Sequence, residues 1–197
     1  MTTANKVTIA RIMLVPFFVV ELMYYLRTGD EMHRYLAVGA FLVAAISDGV
    51  DGWLARHRNQ QTKLGTYLDP LADKLLLISG LILLSIKFEN SPFGEPLPLW
   101  FVGAVLGRDL IVVSGSTLVY LATGDLKVQP HILSKISSVL QMVCISWVLL
   151  KMPSVMTFWL ALGASVTTAV TGVMYVFDGI RQFAEHPAAH PELDDEN

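Results

Sequence analysis

The chain has 197 residues, of which 53% are hydrophobic and only 16% charged, and its mean hydropathy is +0.53. So little charge on so apolar a chain argues against an ordinary soluble globule and for residence in a membrane. The formal net charge of -3 gives no basic footprint, which excludes nucleic acid as a partner, and the length suits a single domain.

Six runs are long enough to cross a bilayer core of about 30 Å as helices of about 20 residues. They lie near Val7–Leu26, Tyr35–Ala55, Tyr67–Ile86, Leu99–Ala122, Ile132–Leu150 and Val155–Phe177. The runs are continuously apolar, without the period-two alternation of a barrel strand, so they predict helices. Between them stand turn-forming residues: Gly29-Asp30, then Pro92, Gly94, Pro96 and Pro98, then Gly124 and Pro130, then Pro153. The first run lacks a small-residue cleavage site and reads as a retained helix, not a signal peptide. No repeat of 20 to 50 residues is evident. Cys144 lies in an apolar run and reads as a small buried hydrophobe.

Lysine and arginine set the expected orientation. With the N-terminus inside, the inner connectors hold Lys6, Arg56, Arg58, Lys63, Lys127, Lys135 and Arg181, against Arg27, Arg34, Lys87 and Lys151 outside. The expected fold is therefore an all-α integral membrane protein, a bundle of six transmembrane helices with both termini cytoplasmic. Its domain is expected over residues 1–183. Residues 184–197, polar, acidic and proline-containing, are expected to be a disordered tail in which His186 and His190 are solvated.

Within this housing the stretch Ser47–Leu77, SDGVDGWLARHRNQQTKLGTYLDPLADKLLL, places Asp48, Asp51, Asp69 and Asp73 among apolar flanks. On a helix, Asp48 and Asp51 (i, i+3) share a face, as do Asp69 and Asp73 (i, i+4), so two helices joined by a short loop aim four carboxylates into one space. At low dielectric each unpaired carboxylate costs several kcal/mol, so either some are protonated or divalent cations lie between them. Oxygen-only ligands suit Mg²⁺, Mn²⁺ or Ca²⁺ rather than zinc. Gly52 and Gly65 leave room for a ligand near the backbone, and Arg56 offers a planar fork suited to phosphate. Thr66 is a possible cap of the third helix, with Asp69 in a capping-box relationship and Pro70 in its first turn. Capping explains neither Asp73 nor the first pair.

An acidic cluster beside an arginine and glycines suits metal-assisted transfer of a phosphorylated group. Two cations clamp a diphosphate while one carboxylate takes a proton from an attacking hydroxyl, and spacing does not say which carboxylate that is.

These residues carry a resemblance. Asp48, Asp51-Gly52, Ala55-Arg56, Gly65, Asp69 and Asp73 fill every fixed position of D-x2-D-G-x2-A-R-x8-G-x3-D-x3-D, the signature of the CDP-alcohol phosphotransferase family. Asn5, Thr8, Arg11 and Pro16, in N-x2-T-x2-R-x4-P, and the run LDPLADKLL look like its phosphatidylglycerophosphate synthase and cardiolipin synthase branches. The resemblance implies a six-helix homodimer in the cell inner membrane, its site facing the cytoplasm, that cleaves the diphosphate of CDP-diacylglycerol and releases CMP. It implies two Mg²⁺ ions, replaceable by Mn²⁺, on Asp48, Asp51, Asp69 and Asp73, with Asp73 also the base. It implies that Gly52, Ala55, Arg56 and Gly65 hold the CDP moiety. The acceptor is expected to be a glycerol-type alcohol, either glycerol 3-phosphate or phosphatidylglycerol. GRDLIVVSG and LSKISSVLQ depart from the Arg-Glu pair and Gly-Lys-x-Lys-Thr run of typical phosphatidylglycerophosphate synthases and look more like the cardiolipin synthase branch.

The acceptor-binding candidates are Arg11, Arg108 and Lys135. Arg11 alternatively marks the interface by snorkelling, and Arg108 alternatively forms a structural ion pair with Asp109 or a neighbour. Lys74 is expected to snorkel rather than neutralise the cluster, and Glu21 has no partner evident in sequence. The four tryptophans and Tyr24-Tyr25 fit interface belts. Intramembrane acids also mark cation or proton transporters, but those place acids at mid-membrane in several helices, whereas here they cluster at one interface in two adjacent helices.

Overall fold

A computed structural model describes residues 3–58, 63–88, 91–123 and 132–184, with side chains over 10–47, 72–88, 91–121 and 132–182. The described residues form six helices: α1 (Thr3–Thr28), α2 (Glu31–Arg58), α3 (Lys63–Ser85), α4 (Leu99–Thr123), α5 (Ile132–Leu149) and α6 (Ser154–Ala184). Each apolar run is a helix, but the helices outrun the apolar stretches. The first three begin a turn earlier than hydropathy places them, and α6 continues two turns beyond Phe177. Hydropathy marks only the residues that avoid water, whereas backbone hydrogen bonding carries a helix on through polar residues. One expectation falls as a result: α3 starts at Lys63, so Thr66 lies inside it and is not its cap.

Among the described residues, three stretches are long and apolar enough to cross a membrane: Leu99–Leu121, Ile132–Leu149 and Ser154–Gln182. The first three helices carry more charged residues along their length, and α2 and α3 hold the four aspartates.

Specific caps reverse the chain between helices. Gly29, at φ +72°, closes α1 by donating its N–H to the Tyr25 carbonyl at 2.8 Å, and Asp30 caps α2 by accepting the Met32 N–H at 3.0 Å. At the end of α5, Lys151 takes the same left-handed turn at φ 55°, with its N–H on the Val148 carbonyl and the Met152 N–H on the Trp147 carbonyl.

Cross-contacts show that consecutive helices alternate in direction. Leu97 N–H reaches the Leu84 carbonyl, and Arg34 and Lys151 join the start of α2 to the end of α5. The first and last helices therefore begin and end, respectively, at the same end of the bundle as the α2–α3 turn. The helices α1, α2 and α3 pack together, as do α6, α4 and α5, and contacts of α5 with α2 and α3 join the two sets. The core runs between them: Phe18, Leu22 and Tyr25 of α1, Phe41 of α2, Leu76 and Leu81 of α3, Phe101 of α4, and Cys144 and Ile145 of α5. Small residues allow close approach, as membrane helices require. Gly80 is the tightest case, since a Cβ there would come within 3.3 Å of Ile145.

Candidate active site

The α2 and α3 helices are four residues apart in sequence, which makes them a hairpin. At 1.5 Å per residue, Asp51 and Asp69 lie about 10 Å from its turn, and Asp48 and Asp73 about 15 Å. The two pairs therefore reach matching depths on neighbouring helices. Asp69 stands well inside α3, so a capping role does not account for it. The side chains of Asp48, Asp51, Gly52, Ala55, Arg56, Gly65 and Asp69 lie outside the described set, as do those of Asn5 and Thr8. The side chain of Asp73 is described and half-buried. The donor chemistry fits a hard divalent cation: carboxylates only, in two tiers, on helices that adjoin.

Arg11 is 1% exposed, which removes the snorkelling reading and places the guanidinium inside the bundle. Lys74 does not snorkel either: its Nζ lies 2.5 Å from Asp109 Oδ1, which bridges α3 to α4. The same carboxylate oxygen accepts from Arg108 Nη1 at 2.8 Å. Arg108 therefore has its ion pair, but its other donor goes elsewhere. Nη2 bonds Ser134 Oγ at the start of α5, and the guanidinium lies 5.4 Å from the Tyr175 ring centroid of α6. Lys135, beside Ser134, is exposed. Of the three acceptor candidates, Arg11 and Arg108 thus point inward and Lys135 outward.

From Ser134 a polar seam continues up the α5–α6 interface. Ser137 and Thr168 share a hydrogen bond at 2.6 Å, and Gln141 Nε2 donates to Thr168 at 3.0 Å. Its signal lies in the sequence, where Ser134, Ser137, Ser138 and Gln141 recur at i, i+3, i+4 and i+7 on one helix face. Glu21 also gains a partner, His33 Nδ1 at 2.7 Å, twelve positions on across the α1–α2 turn. Tyr25 is fully buried and packs edge-on against Phe93, so only Tyr24 of that pair fits an interface belt.

A cavity of about 300 Å³ opens at the opposite end, lined by Pro92, Phe93, Lys151, Met152 and Phe158. Its lining includes none of the candidate catalytic, metal, CDP or acceptor residues.

Comparison with known proteins identifies the family. The CDP-alcohol phosphatidyltransferase family profile matches residues 1–170. The chain belongs to this family. A Bacillus subtilis relative, CDP-diacylglycerol--glycerol-3-phosphate 3-phosphatidyltransferase, is 37% identical over 155 residues, covering 74% of this chain and 75% of its own. A probable phosphatidylglycerophosphate synthase of Mycobacterium tuberculosis is 34% identical over 194 residues, covering 92% and 86%. A probable cardiolipin synthase (CMP-forming) of Drosophila melanogaster is 30% identical over 201 residues, covering 90% of this chain but 58% of its own. This CDP-alcohol phosphatidyltransferase thus matches relatives of both branches.

Proposed function

We propose that this protein transfers a phosphatidyl group from CDP-diacylglycerol to a glycerol-type alcohol, releasing CMP in the synthesis of anionic glycerophospholipids. The observation that carries this reading is the family's full aspartate signature set at matching depths on the α2–α3 hairpin. Asp48, Asp51, Asp69 and Asp73 would hold two Mg²⁺ ions, or Mn²⁺ in their place, and these would neutralise the diphosphate oxygens. Gly52 and Gly65 let the CDP moiety approach the backbone, Ala55 leaves it room, and Arg56 takes a phosphate oxygen.

The reaction is a displacement at the lipid-linked phosphorus. The acceptor hydroxyl oxygen bonds to phosphorus, and the bond from phosphorus to the bridging diphosphate oxygen breaks. CMP leaves with that oxygen, and the Asp73 carboxylate takes the hydroxyl proton. Arg11, which is buried, and Arg108, which is mostly so, are suited to the acceptor's phosphate, and Lys135 to a head group at the surface. The domain is a six-span bundle over residues 1–183, working as a homodimer in the cell inner membrane. The alternating helices and the excess of lysine and arginine at the aspartate end support both termini, and the site, facing the cytoplasm. There the nucleotide, soluble acceptor and Mg²⁺ have access.

Glycerol 3-phosphate is the acceptor favoured by the bacterial relatives. Phosphatidylglycerol is the second reading, favoured by the Drosophila relative and by the departures at GRDLIVVSG and LSKISSVLQ. Purified protein with Mg²⁺ and CDP-diacylglycerol, given each acceptor in a separate tube, decides between them. CMP and phosphatidylglycerophosphate with glycerol 3-phosphate alone support the first reading, cardiolipin with phosphatidylglycerol alone supports the second, and no CMP with either removes both.

A further inference from the structure

Away from the aspartate hairpin, Asp109 on α4 gathers two cations. One carboxylate oxygen takes Lys74 Nζ from α3 and Arg108 Nη1 from its own helix, at 2.5 and 2.8 Å. Arg108 is held on its remaining sides by Ser134 of α5, by the Tyr175 ring of α6, and by Gly172, where a Cβ would stand 3.4 Å from Arg108 Cγ. Groups from α4, α5 and α6 thus meet on one guanidinium, and α3 joins them through the Asp109 carboxylate. Two cations share one carboxylate oxygen here. The Arg108 and Asp109 side chains are only 12% and 16% exposed, and Arg108 Nε is buried with no hydrogen-bond partner among the described residues. A mostly enclosed guanidinium with an idle donor is stabilised by an anion. The α3 and α4 helices otherwise touch sparingly, and the Lys74–Asp109 pair is a polar tie between their described side chains. Lys74 is also the residue after Asp73.

We propose that Asp109 is a positioning residue. By holding Lys74 and Arg108 on one oxygen, it fixes the arginine that receives the acceptor's phosphate relative to the helix turn carrying Asp73. The inference rests on the transfer reading above. The ligand chemistry is a phosphate on glycerol, which both glycerol 3-phosphate and phosphatidylglycerol supply.

Steady-state kinetics with each of these acceptors test it. Asp109→Asn and Lys74→Met are each expected to raise the acceptor KM about tenfold or more, the loss of one charge-assisted contact, with the KM for CDP-diacylglycerol unchanged. The double variant is expected to lose no more than the worse single, because both changes break one contact. Asp109→Glu and Lys74→Arg are expected to restore most of the acceptor affinity, which a merely structural role does not predict. Should Asp109→Asn fail to fold, the Lys74→Met and Lys74→Arg pair gives the same readout. An active wild type whose variants keep the acceptor KM, or whose losses multiply in the double, overturns the positioning role alone. A wild type without acceptor-dependent CMP release overturns the transfer reading and the positioning role with it.

Discussion

Asp73 has the aspartate motif on one side, toward the hairpin turn, and Lys74, committed to Asp109, on the other. A carboxylate that takes a proton in the transition state loses that ability as an amide while keeping nearly the same shape. Asp73→Asn is therefore expected to lower turnover by about 100-fold or more, the range of a positioned general base, while largely sparing CDP-diacylglycerol binding. Turnover and equilibrium binding of the lipid nucleotide check this together, and wild-type turnover in the variant would remove the assignment. The aspartates were legible in sequence because charge within apolar flanks needs a reason, and the family spacing supplied one. The ties of Lys74, Arg108 and Glu21 were not. Their partners lie 35, 26 and 12 positions away, on Asp109, Ser134 and His33, and only the packing of helices decides which distant polar groups meet.

At the scale of helices, the end opposite the aspartates is closed by a clasp. Glu31 accepts from Lys151 and Arg34, each at 2.5 Å, and Arg34 also reaches the Leu149 carbonyl at 3.2 Å. Hydrogen bonds from Lys151 first, then Arg34, hold the Glu31 carboxyl down from the ordinary 4.5 to about 2. A depressed carboxyl pKa stabilises the fold fully above its unfolded value. That stabilisation is therefore expected to be intact above about pH 4.5 and to fade as pH falls from there to about 2. Thermal unfolding in detergent across this range checks it, with Glu31→Gln expected to lack that component of the pH dependence. The clasp also explains a non-glycine residue at positive φ, because the Lys151 turn aims its side chain at Glu31.

The α3–α5 contact gives a second test at this scale. Gly80→Val drives new methyl groups against Ile145, an overpacking expected to cost about 1–3 kcal/mol. A Cβ at Gly115 meets nothing within 4 Å, so Gly115→Val is expected to leave Tm near wild type. Equal Tm losses in the two variants would contradict the packing described. Element positions were readable from hydropathy because each helix has an apolar centre. Their ends were not, since polar residues such as Glu31 and Lys63 extend a helix by backbone hydrogen bonding alone.

For the whole molecule, six alternating helices bring the N-terminal helix start, the aspartate hairpin and the end of α6 to one end of the bundle. This arrangement suits an enzyme whose lipid substrate arrives in the bilayer and whose nucleotide leaves into water. It suits a transporter less, since carboxylates two to three turns from one end of two neighbouring helices mark no path through the other four. The acceptor was not legible in sequence, because glycerol 3-phosphate and phosphatidylglycerol both offer a glycerol hydroxyl beside an anionic phosphate.

The most direct measurement is CMP release from CDP-diacylglycerol by the purified protein, with and without a glycerol-type acceptor, in Mg²⁺ and in EDTA. The expected result is CMP only when acceptor and Mg²⁺ are both present, matched mole for mole by new anionic lipid, lost in EDTA and regained with Mg²⁺ or Mn²⁺. CMP release at full rate in EDTA, or in the absence of any acceptor, would contradict metal-assisted phosphatidyl transfer at this site.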